Sequence, residues 1–325
     1  MNQDNTPSRI NDLVEEAKAF DRRIGERTRS GFIPDLRRSV KCEYFYKSFW
    51  REPYFIKLYL GWILDGMLEL LRTHCRKGDR ILDVGCGAGY MSLEFARNGY
   101  NVVAIDISEE CIKTARQTLA DNPYRDNFAS LAYDVLPFEA ATGEYDIVMF
   151  CVSMHHMSNV RAVVDKAYSL LPKGGHLLCY EPCHERFGRG DAAQVALIRG
   201  LMSIAGFWYE PAELEDAVRD ENGLSVYVDD VWTEYVLERD KNEPGGQSPH
   251  DLASNGEEIL AALRSRFREI AVRPGCSFIY RLIGGLRGPE HVVHELASFI
   301  STYEHLMVKE GYLNPNMFYF MGRKE

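Results

Sequence analysis

Arg80-Ile81-Leu82-Asp83-Val84-Gly85-Cys86-Gly87-Ala88-Gly89 is the stretch that decides the fold. Its first five residues form a short apolar run bounded by glycine, the pattern of a buried strand. Glycines then alternate at 85, 87 and 89. Such residues let the backbone turn tightly and approach a ligand with no β-carbon in the way. A helical pattern follows from about 89 to 98, so a helix N-terminus points at whatever the turn holds. A dinucleotide fingerprint, Gly-x-Gly-x-x-Gly, needs its third glycine at position 90, and this chain has Tyr90 there. The pattern is Asp-x-Gly-x-Gly-x-Gly instead.

Reading outward, strands and helices alternate. Asn101 to Asp106 is a second apolar run, and Ser108 caps a helix reaching about Leu119. Phe128 to Tyr133 reads as a weaker third strand and Tyr145 to Cys151 as a strong fourth. Asn159 to Leu171 is helical and ends at Pro172-Lys173-Gly174-Gly175. His176 to Tyr180 is a fifth strand. This rhythm argues for parallel β-α-β units. Beyond Glu181 the rhythm breaks. Residues 190 to about 240 read as helices, Glu243 to Asn255 as a loop, and Glu257 to Arg268 as a helix. Glu269 to Val272 and Ser277 to Ile283 look strand-like, a long amphipathic helix follows Pro289, and Met317 to Met321 is a last strand. Ahead of the sheet lie a charged helix at 8–29, an aromatic segment at 44–55 and a helix from Pro53 to about Cys75.

Composition bounds the function. The 325 residues are 46% hydrophobic and 26% charged, ordinary for a globular chain. A formal net charge of -10 disfavours the phosphate backbone of nucleic acids, so no nucleic-acid partner is expected. Arg22, Arg23, Arg27, Arg29, Arg37, Arg38 and Lys41 crowd the first segment and read as a solvated helix face. The eight cysteines lack Cys-x-x-Cys spacing, and several sit in apolar runs, so they read as buried thiols of a reducing compartment. Tyr54 to Leu71 is too short and too charged to span a membrane. These features predict a cytoplasmic protein with no membrane partner.

Two acids stand at strand ends beside the glycine turn. Asp106 closes the second strand, twenty-one residues beyond Gly85, where a carboxylate can accept both ribose hydroxyls of a nucleoside. Asp134 follows the third strand, where it can accept an exocyclic amino hydrogen. Either alone is equally a helix cap or turn residue.

Together these stretches resemble the class I S-adenosylmethionine-dependent methyltransferases. The likeness rests on Ile81 to Gly89, Val103 to Ser108, Asp134, Tyr145 to Phe150 and Leu170 to His176, and covers about residues 79 to 181. It implies an α/β, Rossmann-like fold: a seven-stranded, mostly parallel sheet with helices on both faces. An N-terminal helical extension (1–76) and a helical insertion after the fifth strand (184–253) would flank a core of 77–183 and 254–325. The cofactor implied is S-adenosyl-L-methionine. Asp83, Gly85, Cys86, Gly87 and Gly89 would hold its methionine part, Asp106 with Ile107 the ribose, Asp134 with Val135 the adenine, and the backbone near Cys151 the ammonium.

The acceptor side is less determined. His155 and His156 follow the fourth strand and Glu181 ends the fifth, with His184 nearby; each is either a catalytic group or a loop residue. Tyr44, Tyr46 and Trp50 form either a lid over cofactor and acceptor or part of the core. The 190–240 helices are expected to bind the acceptor, with Phe207, Trp208 and Tyr209 as wall residues. No Asn-Pro-Pro-Tyr motif follows the fourth strand and no carboxylate ends it, and His291-Val292-Val293-His294-Glu295 lacks the His-Glu-x-x-His order, so no metal is expected. The expected reaction is metal-independent methyl transfer to a small or medium organic acceptor. Non-methyl chemistry on the same cofactor, a protein or RNA acceptor, a nicotinamide oxidoreductase and a non-catalytic scaffold remain as rivals. O-, N- or C-methylation and the oligomeric state stay open.

Overall fold

A computed structural model describes residues 6–210, 214, 217, 219–237 and 253–325. The chain opens with α1 (Thr6–Arg29), then α2 (Pro53–Ile56), a π-helical turn (Lys57–Gly61) and α3 (Trp62–His74). Next come β1 (Arg80–Val84), α4 (Tyr90–Arg97), β2 (Asn101–Asp106), α5 (Glu109–Ala120), β3 (Leu131–Val135), β4 (Ile147–Cys151), α6 (Val160–Leu170) and β5 (His176–Pro182). Helices α7 (Arg189–Ile204), α8 (Glu221–Val236) and α9 (Gly256–Arg266) precede β6 (Arg268–Pro274). The chain ends with α10 (Ile279–Leu282), α11 (Glu290–Lys309) and β7 (Met317–Arg323).

Seven strands form one sheet in the order β3-β2-β1-β4-β5-β7-β6. The first five pair in parallel, and β7 is antiparallel to both β5 and β6. Strand residues alternate between faces. Ile147 and Met149 enter one core with Leu64, Met67, Phe95 and Ile300, whereas Val148 and Phe150 enter the other with Val164, Leu260 and Leu263. Both faces are therefore covered by helices, as a parallel sheet requires. The expected seven-stranded α/β architecture is the observed one.

Caps fall where the residue chemistry puts them. Ser108 accepts from the Cys111 amide, Asn159 from Ala162, and Asn255 from Glu258. Two elements depart most from expectation. The third strand starts at Leu131, because Phe128 closes a turn onto Arg125 and Asn127 adopts a positive φ of 58°. The strand expected at Ser277–Ile283 is instead the short helix α10 followed by a 3-10 turn. The buried Glu304 carboxylate takes the amides of Ser277, Phe278 and Ile279, so those donors cannot join a ladder.

The segment ahead of the sheet is bolted to it. Arg97 holds both Asp35 oxygens at 2.8 Å and Glu94 at 2.6 Å, all three side chains being buried. Arg37 adds a forked contact to Glu94. A satellite core joins Ile24, Phe32, Cys42 and Phe45 to Ala88 and Cys111. The N-terminal segment thus packs on the glycine turn itself. Among the described residues no helix is long and apolar enough to cross a membrane.

Candidate functional site

The glycine turn leaves β1 with φ of +69°, +53° and +77° at Gly85, Gly87 and Gly89, a region side chains other than glycine avoid. Each glycine serves a different end. A β-carbon on Gly85 would lie 2.6 Å from Ser153 Cβ, and one on Gly89 would lie 2.5 Å from the Tyr133 hydroxyl. One on Gly87 would meet nothing within 4 Å, so Gly87 faces open space. The outer two glycines satisfy packing, and the middle one presents bare backbone. Tyr133 secures the turn by donating to the Gly89 carbonyl at 2.9 Å.

Asp106 is tied into this turn. Its Oδ2 accepts the Gly87 amide at 2.7 Å and its Oδ1 the Ser108 amide at 2.9 Å. Burial raises its pKa against those amides. Ile107, next along, is half-buried. Asp83, at the end of β1, is buried and accepts the Ser92 hydroxyl at 2.5 Å. Burial lifts its carboxyl to about 7; the Ser92 hydrogen bond opposes this and the negative charge of Asp106 adds to it. The Cys86 thiol is pushed far above its ordinary range, chiefly by burial, and does not ionise at neutral pH.

Asp134 and Val135 lie exposed on β3, and Arg116 approaches Asp134 at 3.5 Å while donating to the Tyr133 carbonyl. A surface cavity of about 540 Å³ opens beside Val135 along α5, outside the glycine turn. Cys151, at the end of β4, is half-buried. Val152 after it adopts a φ of +55°, an uncommon conformation for a β-branched residue, and its amide donates to Tyr180. That kink drops the chain into the Ser153–His156 turn. Ser153 donates to the Val84 carbonyl at 2.7 Å, locking this turn against the glycine turn.

Glu181 reads in the sequence as either a catalytic group or a loop carboxylate. The structure buries it completely beneath the Ser153–His156 turn. Its Oε1 accepts the Ser153 and Met154 amides at 2.9 Å each, and its Oε2 lies 2.8 Å from His155 Nδ1. His155 is buried as well. His156 points to the N-terminal segment: Nδ1 lies 3.1 Å from Glu16 Oε1, and its ring meets Phe20 edge-on. His184 is buried, with its Nδ1 2.7 Å from Asn316 Oδ1.

The aromatic segment divides. Trp50 packs on Tyr90, the first residue of α4, at 5.0 Å. Tyr44 and Tyr46 are exposed; Tyr44 bonds Glu26 and Tyr46 packs on Tyr209. Phe207 and Trp208 pack against Gly288 and Gly285, so this part of the 190–240 region meets the 285–288 loop. The loop expected at 243–255 lies largely outside the described residues. Sequence reasoning missed the residues of α1 that roof the turn. Asp21 accepts the Ser108 hydroxyl at 2.6 Å and the Glu110 amide at 3.1 Å, and Ile24 packs with Ala88 and Cys111. The amphipathic spacing of 8–29 was the available signal, but it does not say what the apolar stripe covers.

A family model described as "Methyltransferase domain" matches residues 58–227, more than half of the chain. A ubiquinone biosynthesis O-methyltransferase from Psychrobacter cryohalolentis is 34% identical over 102 residues, covering 30% of this chain and 38% of that one. A demethylmenaquinone methyltransferase from Symbiobacterium thermophilum is 30% identical over 114 residues, covering 34% and 45%. The chain spans less than half the length of these curated relatives. A magnesium protoporphyrin IX methyltransferase structure from Synechocystis with bound SAH superposes with a TM-score of 0.51 at 13% identity, covering 97% of this chain and 100% of that one, a likeness of fold. With its glycine turn, its strand-end acids and this match, the chain belongs to the methyltransferase-domain family.

Proposed function

We propose that this protein is an S-adenosylmethionine-dependent methyltransferase acting, without a metal, on a small or medium organic acceptor. The observation that carries the reading is the Gly87–Asp106 pair: a glycine open to ligand, with its amide bonded to the acid expected to take the ribose. The residues present fit the cofactor. Gly85, Cys86, Gly87 and Gly89 offer backbone, Asp83 a carboxyl for the cationic amino-acid end, Asp106 and Ile107 the ribose contacts, Asp134 and Val135 the adenine contacts, and Cys151 its backbone. When bound, the cofactor supplies an electrophilic methyl group on a sulfonium sulfur.

The chain's own residues supply positioning and exclusion of water. Glu181 acts as a positioning residue, holding three successive amides and fixing the proton of His155 on Nδ1. His156 is the less buried of the two histidines and is the base we assign to an acceptor that keeps its proton at neutral pH. Trp50 together with α1 closes the site, and Tyr44 and Tyr46 belong to its outer rim. We assign 1–76 to this cover, 77–183 and 254–325 to the core, and 184–253 to acceptor binding. The quinone-pathway names of the relatives support a small organic acceptor. The net charge of -10 supports no nucleic-acid partner, and eight free cysteines support a cytoplasmic setting.

Calorimetric titration with S-adenosylhomocysteine tests the donor site. Asp106→Ala should weaken binding roughly 10- to 100-fold, as expected for lost charge-assisted hydrogen bonds. An unchanged affinity would remove the ribose assignment.

A further inference from the structure

His156 is held from outside its own turn, and this inference rests on the reading of it as the base for the acceptor's proton. Its Nδ1 lies 3.1 Å from Glu16 Oε1 on α1, the two side chains being 18% and 6% exposed. They meet as an ion pair rather than as an aligned hydrogen bond. A carboxylate so far removed from water needs a compensating charge. Phe20, one helical turn further along α1, sets its ring edge-on to the same imidazole at 5.6 Å. Ile24, another turn on, packs with Ala88 and Cys111, and Asp21 takes the Ser108 hydroxyl and the Glu110 amide. Helix α1 is thus fixed over the glycine turn at 21 and 24, and the face that carries Ile24 and Phe20 delivers Glu16 to His156.

His156 also stands within electrostatic reach of the donor site. Burial raises the Asp106 carboxyl, the amides of Ser108, Gly87 and Ile107 oppose the rise, and so does His156. Among the described residues, the titratable groups facing this imidazole include Glu16 from α1, Asp106 from the end of β2, and His155 beside it with ring centres 4.2 Å apart. Glu181 lies behind, on His155 Nδ1. Two carboxylates from different elements therefore act on one imidazole, while Glu181 is occupied by the other histidine and by its amides.

We propose that Glu16 is a positioning residue for methyl transfer: its carboxylate holds the His156 ring and raises its basicity, so that the base is complete only with the cover helix in place. The acceptor's lone pair takes the methyl carbon, the carbon–sulfur electron pair stays on sulfur, and the acceptor's proton passes to His156. Glu16 meets the positive charge that forms on the ring. Asp106 adds to that field, but two amides already hold it to the glycine turn and the start of α5. Proton removal is thereby coupled to the seating of α1. Glu15, the exposed neighbour on the same helix, has no such task.

Proton NMR of the full chain with S-adenosylhomocysteine bound reads the His156 imidazole directly, its signal assigned by its absence in His156→Gln. Glu16→Gln keeps the shape and removes the charge. It should lower the pKa of His156 by roughly one unit, a roughly tenfold loss of proton affinity, as expected for one opposite charge at this distance. Glu16→Asp should keep part of the shift, and Glu15→Gln should leave the titration unmoved. Calorimetry should show S-adenosylhomocysteine affinity kept in all three, so that fold and donor site persist. A His156 titration in Glu16→Gln equal to that of the unaltered protein overturns the proposal. Loss of donor affinity with an unmoved titration also overturns it, because Glu16 would then serve closure alone. The base reading fails by a different result. If His156→Gln transfers label from methyl-labelled S-adenosylmethionine into a cell extract as fast as the unaltered protein, His156 is not the base and Glu16 positions nothing in the reaction.

Discussion

A β-carbon on Gly85 would stand 2.6 Å from the β-carbon of Ser153, so the turn after β1 and the turn after β4 touch with no room for a side chain. Gly87, two residues on, has nothing within 4 Å of the same position. The two alanine variants therefore separate packing from binding. Gly85→Ala should lose roughly 3 kcal/mol or more of stability, from overpacking and from a positive φ. Gly87→Ala should lose only about 1–2 kcal/mol, the left-handed backbone cost. It should nevertheless weaken S-adenosylhomocysteine binding at least about tenfold, since its methyl group enters the ligand's space. Denaturant unfolding and calorimetry on both variants check this; equal stability losses would contradict it.

Glu181 holds the amides of Ser153, Met154 and His155 from a fully buried position. Glu181→Ala leaves those donors in the interior without their acceptor. Unfolding in urea should show a loss of about 3–5 kcal/mol, the range for breaking a buried charged contact. A loss below about 1 kcal/mol, the net worth of one ordinary hydrogen bond, would mean that the turn does not depend on it.

The Asp83 carboxyl stands at about 7 through burial. Near neutral pH a substantial fraction of the ligand-free protein keeps this group protonated. A cationic donor favours the ionised form, so binding should release a proton and affinity should rise with pH from about 6 to 8. Folding has the opposite slope: the folded state binds the proton more tightly than the unfolded chain, so Asp83 lowers stability as pH rises from about 4 to 7. Titration with S-adenosylmethionine in two buffers of different ionisation enthalpy measures the proton count. Identical heats in both buffers near pH 7 would contradict the placement of Asp83 beside the cationic end.

Asp35 shows the reverse sign. Burial alone would raise its carboxyl, but hydrogen bonds from Arg97 and the Arg37 amide, with the Arg97 charge, hold it below its ordinary value. Its stabilisation is present above the unfolded pKa near 4 and is lost as pH falls through the lower folded value. Asp35→Asn should cost about 3–5 kcal/mol at neutral pH and flatten the acid limb of the stability curve. An acid limb of unchanged slope would contradict the contribution of this pair.

Much of this was legible in the chain itself. The strand runs through Val84, Asp106 and Cys151, the cap at Ser108, and the glycine turn are local signals, each written within a few residues. What was not legible depends on contacts far apart in sequence. Ser277–Ile283 has strand-like residues, yet Glu304, one helix later, consumes its amides. Glu181 looks like an exposed acid at a strand end until the turn after β4 folds over it. The aromatic segment suggested a cover at 44–55, but only Trp50 of its three named residues meets the glycine-turn helix, and α1 supplies the rest.

Methyl transfer to a small acceptor is tested by following the methyl group itself. The purified protein is incubated with methyl-labelled S-adenosylmethionine and a fractionated cell extract, and the label is followed. Label should appear in a small-molecule fraction, and the signal should be lost in Asp106→Ala. Label in the protein or RNA fraction, or no transfer into any fraction despite measurable donor binding, would contradict it.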